Sequence, residues 1–234
     1  MGLRNALIAY AEHVEVIAIY STLLVLGGLS VLVPGLSLSS GGVTLNVLEF
    51  VSLDPIGQAL ALVFTAAAMF VLAFLVSMLM MAVKSRESRS DLASAVFHEL
   101  LSTHTSRLFL FFLAYSVLAF AVSAFFPQQS AIIMVLLSLP VLFAPAAIVA
   151  DEQGLVNAVD LSWNFLKSNP EKVAYYLVIG TILVALTSFA GYALDGVSFI
   201  GKYASLAMMA FFTLPVLVLL QAQLYLEKIG LMKH

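Results

Sequence analysis

The stretch His98-Glu99-Leu100-Leu101-Ser102 begins like a zinc-protease signature. That chemistry needs a second His four residues after the first, so that both imidazoles face one metal and the Glu serves as base. Position 102 is Ser. His104 comes six residues after His98, about 240° around a helical wheel. The motif fails, and His98 and Glu99 read as the polar face of a surface helix. Only convergence of His98, His104 and Asp151 or Glu152 around a metal would restore an intramembrane enzyme. The chain has no cysteine, which removes thiolate ligands and cysteine nucleophiles. No metal, cofactor or catalytic residue is expected.

The other candidate positions are polar or helix-breaking. Asp151-Glu152 could hold a cation or a head-group amine, but an acidic pair at a helix end more often ends a span or caps the next helix. Pro140, Pro145 and Pro215 fall inside apolar runs, where each removes a backbone donor and frees a carbonyl. Broken helices can build a site at mid-membrane, although Pro is also tolerated there as a packing device. Gln221 and Trp163 complete the set of candidate ligand, lipid or hinge positions. Trp163 suits a boundary where one edge of the ring is apolar and its N–H is wet.

The elements that must position these residues follow from composition. Of 234 residues, 62% are hydrophobic and 10% charged, against ~25% charged in a soluble domain. Lipid must solvate much of this surface. The formal net charge of −3 argues against a nucleic-acid partner. A hydrocarbon core of ~30 Å needs about 20 helical residues. Six runs meet that length: 14–33, 56–83, 108–126, 131–150, 173–194 and 203–226. They are continuous rather than alternating, which predicts helices and not a barrel. The expected fold is all-α, one membrane domain over 1–234. Residues 14–33 exceed a signal h-region of ~7–15 residues, so they read as a retained span.

Basic residues orient the spans. With the N-terminus inside, the inner segments hold Arg4, Lys84, Arg86, Arg89, Arg107, Lys167, Lys172, Lys228 and Lys233, and the outer segments hold Lys202. This predicts a multi-pass cell-membrane protein with both termini cytoplasmic. Two inner loops carry amphipathic patterns, over about 91–102 and 154–167. In the first, Leu92, Val96, Phe97, Leu100 and Leu101 share a face. In the second, Leu155, Ala158, Val159, Ser162, Phe165 and Leu166 do. The first outer loop, with Leu36-Ser37-Leu38-Ser39 and Val43-Thr44-Leu45-Asn46-Val47, reads equally as a small hairpin or an irregular loop. Leu92-x-Ser94-Ala95-Val96 matches Leu155-x-Asn157-Ala158-Val159 at an offset of 63 residues, and Arg107 then aligns with Pro170. The pattern span, interfacial helix, span could thus occur twice, although chance also produces so short a match.

Pro145-Ala146-Ala147-Ile148-Val149, the acidic Asp151-Glu152, then Gly154-Leu155-x-x-Ala158-x-x-x-Ser162-Trp163 resemble the membrane module fused to some bacterial glycerophosphodiester phosphodiesterases. Related bacterial and archaeal integral membrane families are similar there. The resemblance implies a helical membrane module; no catalytic residues carry over. The function expected is a non-enzymatic scaffold, a partner-binding subunit or a lipid-interacting protein. Its partners would be membrane lipids, a membrane protein or a second copy. A small-molecule transporter or lipid flippase using the Pro-containing spans is the alternative, and an intramembrane enzyme the third.

Overall fold

Backbone groups in hydrocarbon must bond internally. Among its described residues, the regular elements of the computed structural model are helices apart from one small hairpin. It describes residues 2–28, 36–39, 42–45, 52–88, 94–195 and 201–227. Among the described residues, five helices are long and apolar enough to cross a membrane: Pro55–Lys84, Leu101–Phe125, Ser130–Ala150, Pro170–Leu194 and Tyr203–Leu226. A sixth is counted if the broken pair Leu3–Glu12 and Val14–Val25 forms one span. The chain is a multi-pass helical membrane protein.

The first run differs from expectation. Helix α1 (Gly2–Glu12) precedes α2 (Val14–Gly28), with the break at His13. The His13 ring bonds the Ala9 carbonyl at 2.8 Å, the same carbonyl that accepts the His13 backbone N–H at 3.2 Å. Residues 29–33 of the expected span lie outside the described residues. In the loop that follows, β1 (Leu36–Ser39) and β2 (Gly42–Leu45) pair antiparallel, Leu36 opposite Leu45.

Helix α3 runs Pro55–Ser88 and α4 runs Ser94–Phe125, 34 and 32 residues. At 1.5 Å per residue each is about 50 Å long, well beyond a ~30 Å core. This corrects the expected surface helix over 91–102. From Ser94 onward it is the first part of α4, because no Pro or Gly interrupts the chain before Phe125. Residues 91–93, and the side chains of Arg86, Arg89, His98 and Glu99, lie outside the described residues.

The second amphipathic segment is a separate helix, α7 (Leu155–Ser168), followed by α8 (Pro170–Asp195). The difference lies at Pro170, which stands where α4 has Arg107. A residue before Pro is driven out of the helical region, and Asn169 sits at φ −135°, ψ 55°. The proposed repeat therefore keeps its break between surface helix and span in the second copy alone.

Span four is broken into α5 (Ser130–Val141) and α6 (Ala144–Ala150). The last span is α9 (Gly201–Met208), a π-helical turn (Met209–Thr213) and α10 (Leu214–Leu226). Pro215 does not break it. Pro has no N–H to offer a carbonyl four residues back, and the turn before it widens, with the Leu214 N–H reaching the Met209 carbonyl.

The chain divides into two compact units. One comprises Met1–His13, Ala73–Tyr176 and Val216–His234, the other Val14–Leu72 and Leu177–Pro215. In the second, Ser21 Oγ donates to the Ala210 carbonyl of the π turn at 2.7 Å. The buried Thr187 and Thr213 hydroxyls meet at 2.7 Å. A Cβ added at Gly191 would lie 2.7 Å from Ser205 Cβ and 3.2 Å from the Gly201 carbonyl. The small pair Thr187 and Gly191 thus sits at close helix contacts.

Candidate functional site

The candidate residues of the first unit gather around α6. Pro145 lies in the first turn of α6 and cannot donate back to α5. The helix breaks at Leu142-Phe143, and two polar side chains cover the exposed groups. The Phe143 N–H donates to Ser162 Oγ of α7 at 2.9 Å. Gln221 Nε2 of α10 donates to the Leu142 carbonyl. Phe143 and Ser162 are fully buried. The Phe143 ring packs on Phe165 and Tyr176 at centroid distances of 4.5 and 5.4 Å, and Phe165 packs on Tyr225 at 5.3 Å. Ala144 through Val149 are all buried.

The α6 helix ends in the turn Asp151-Glu152-Gln153-Gly154. A helix C-terminus presents unpaired carbonyls and negative potential, which cations relieve. Lys84 Nζ of α3 donates to the Val149 carbonyl at 3.2 Å and pairs with Glu152 Oε1 at 2.9 Å. Arg107 of α4 donates to the Glu152 and Gln153 carbonyls at 2.6 and 3.4 Å. Tyr225 Oη of α10 donates to Asp151 Oδ2 at 2.6 Å. Three helices therefore fasten one turn.

Glu152 adopts φ 56°, the left-handed region where a side chain usually costs energy. That conformation reverses the chain after α6, while the Glu152 carboxylate and carbonyl face two different cations. The hydrogen bond and charge of Lys84 hold the Glu152 carboxyl below its ordinary pKa. Partial burial opposes this, and His104 and Arg107 add smaller lowering effects.

Helix α7 is held by one face, where Ala158, Ser162 and Phe165 are buried. Its other side carries Val156, 83% exposed, and Trp163, 38% exposed. Lys167 Nζ stands 4.8 Å from the Trp163 ring centroid, a cation–π contact. Lys172, just after α7, pairs with Glu227 at 3.2 Å.

Of the residues singled out in the sequence, Pro140, Pro145, Asp151, Glu152, Gln221 and Trp163 lie on α5, α6, α7, α10 or the turns joining them. Pro215 belongs with the π turn. Sequence reasoning took Lys84 and Arg107 as orientation anchors and missed their partners. The signal was present: an acidic turn and two cations assigned to the same side of the bilayer. It also began span three at Leu108, whereas the apolar helix starts at Leu101 and carries the buried His104. Among the described residues, no group of three or more His, Cys, Asp or Glu is placed to hold a metal ion. Comparison with protein-family models, curated proteins and solved structures finds no match.

Proposed function

We propose that this chain is a non-enzymatic module of the cell membrane, with both termini cytoplasmic, that engages lipid through α7. The observation that carries this reading is the two-sidedness of α7. One face is locked to the spans by Ala158, Ser162 and Phe165. The other presents exposed Val156 and Trp163 beside the Lys167 ammonium. An apolar surface rimmed by a snorkelling cation suits the head-group boundary of a bilayer. The resemblance of Pro145 through Trp163 to the phosphodiesterase-fused membrane modules fits a lipid-associated role.

The transport alternative draws on the α5–α6 break and the π turn. Against it, the groups at the break already have protein partners: the Phe143 N–H in Ser162 and the Leu142 carbonyl in Gln221. A ligand site would need such groups open.

The test uses a convenience of the sequence. Trp163 is the single Trp of the chain. In proteoliposomes, its emission is expected to be quenched by lipids brominated close to the head group, more than by lipids brominated near the chain ends. Aqueous iodide should quench it weakly. Strong iodide quenching with no effect of any brominated lipid would remove the lipid-engaging reading. Uptake of a solute driven by the protein in the same vesicles would favour transport.

A further inference from the structure

Helix α7 carries a stripe that its packing leaves free. Val156, Asp160, Trp163 and Lys167 follow one another at spacings of four, three and four residues. At about 100° per residue they fall within roughly 60° of the helix circumference. Ala158, Ser162 and Phe165, the buried residues of α7, lie on the opposite side. All four residues of the stripe are exposed. Two of them carry charge, and of opposite sign.

Both charges are held in place without being neutralised. Lys167 reaches back along the helix, as helical side chains do, and its Nζ stands 4.8 Å from the Trp163 ring centroid. Asn164 Nδ2 donates to Asp160 Oδ2 at 3.3 Å. A carboxylate has about four lone-pair sites and an ammonium three donors, so both groups keep bonding capacity. Among the described residues, the ion pairs join Lys84 to Glu152 and Lys172 to Glu227, and neither Asp160 nor Lys167 belongs to one. The Asp160 and Trp163 positions are about 4.5 Å apart along the axis, less than one turn. Carboxylate, indole and ammonium therefore share one patch.

The charge balance selects the ligand. Helices that gather anionic lipid carry a surplus of Lys and Arg. Here Asp160 and Glu171 accompany Lys167, and Lys172 is already paired with Glu227. An anionic head group would meet Lys167 and be repelled by Asp160. A zwitterionic head group offers a phosphate to the ammonium and, a few ångströms away, a cation to the carboxylate. A primary ammonium also donates charge-assisted hydrogen bonds to the open carboxylate sites, which a trimethylated one, lacking N–H, does not. We propose that this stripe selects an ethanolamine-type phospholipid, with the phosphate at Lys167 and the amine at Asp160. The proposal rests on the lipid-engaging reading of α7 and adds selectivity to it.

The test reconstitutes the full chain in phosphatidylcholine vesicles that contain a minor fraction of one brominated lipid. That lipid has an ethanolamine, a choline or a glycerol head group, with bromine at the same chain position in each. Trp163, the single Trp, reports which lipid sits beside it. The ethanolamine lipid should reach half-maximal quenching at a several-fold lower fraction than the other two. Asp160→Asn should raise that fraction to the choline value. Glu171→Gln removes the same charge outside the stripe and should leave the preference intact. Equal quenching by the ethanolamine and choline lipids, or strongest quenching by the glycerol lipid, overturns the proposal and leaves α7 a lipid-engaging helix. A preference that survives Asp160→Asn, or that Glu171→Gln also abolishes, overturns it too. Quenching by none of the three lipids removes the lipid-engaging reading, and the proposal with it. If a variant does not fold, the ranking of the three lipids on the unmodified chain still decides.

Discussion

The closed break in span four makes a quantitative claim about Ser162. Its hydroxyl accepts the Phe143 N–H at 2.9 Å, and both residues are fully buried. Ser162→Ala removes one oxygen, leaves almost no cavity and strands a backbone donor where neither lipid nor water can serve it. Leaving one buried partner unsatisfied costs about 1–3 kcal/mol. For a chain of this size that corresponds to a fall in midpoint of roughly 2–12 °C, at ~2–4 °C per kcal/mol. The assay is loss of helicity by circular dichroism in mild detergent, with heat or added denaturing detergent. Trp163 emission is a poor probe here because it adjoins the substitution. Asn164→Ala, on the exposed side of the same helix, is the control and should stay within about 0.5 kcal/mol of the parent. Gln221→Leu, which takes the donor from the Leu142 carbonyl, should cost a similar amount. The double variant should fall short of the sum, since both side chains serve one break. If Ser162→Ala is as stable as Asn164→Ala, the hydrogen bond does not hold the break and the reasoning fails.

Gly191→Ala distinguishes a packed glycine from an idle one. An unpacked helical Gly→Ala change stabilises by about 1 kcal/mol, whereas the added Cβ here would lie 2.7 Å from Ser205 Cβ and 3.2 Å from a backbone carbonyl. The expected result is destabilisation of about 1–3 kcal/mol, and an increase in thermal stability would contradict the close approach. Glu152→Gln isolates charge, because Gln has to adopt the same left-handed backbone. The Glu152 carboxyl has a folded pKa below its unfolded one, so its contribution is complete above the ordinary carboxylate range. It is lost as pH falls through the depressed folded value. With the Glu152 side chain 54% exposed, solvent screening limits the effect to roughly 0.2–1 kcal/mol. The gap between Glu152→Gln and parent should be present at neutral pH and close in acid; a gap that widens in acid has the wrong sign.

The spans were legible because hydrophobic run length answers directly to bilayer thickness. Pro170 marked the start of α8, and the face Ala158, Ser162, Phe165 of α7 was visible in its spacing. What was not legible depends on contacts distant in sequence. The surface helix expected over 91–102 continues into α4: a change from polar to apolar composition does not by itself break a helix, and no Pro or Gly stands between Ser94 and Phe125. Pro140, Pro145 and Pro215 looked alike, yet two lie beside a break and one follows a widened turn. The outcome depends on neighbours such as Ser162, Gln221 and Ser21, which the local sequence does not reveal. The roles of Lys84 and Arg107 were hidden for the same reason. Positive charge at the end of a span reads as orientation whether or not it also closes a helix terminus 45 to 65 residues away.

The two irregularities, each within its own unit, bear on function through one shared property. At the α5–α6 break the Phe143 N–H and the Leu142 carbonyl both have side-chain partners. At the π turn, Ser21 bonds the Ala210 carbonyl. A broken helix that recognises a solute must keep such groups available and give them up reversibly. One whose groups are bonded by buried protein side chains serves instead as a joint that fixes where the next element goes. Past the first joint, the next elements are the fastened turn and α7. Three helices bond that turn, and α7 itself bonds the break through Ser162. Rigid support of this kind has little use for a helix that only links two spans. It fits the lipid-engaging role proposed for α7, in which the outward face with Val156, Trp163 and Lys167 is held at a set depth.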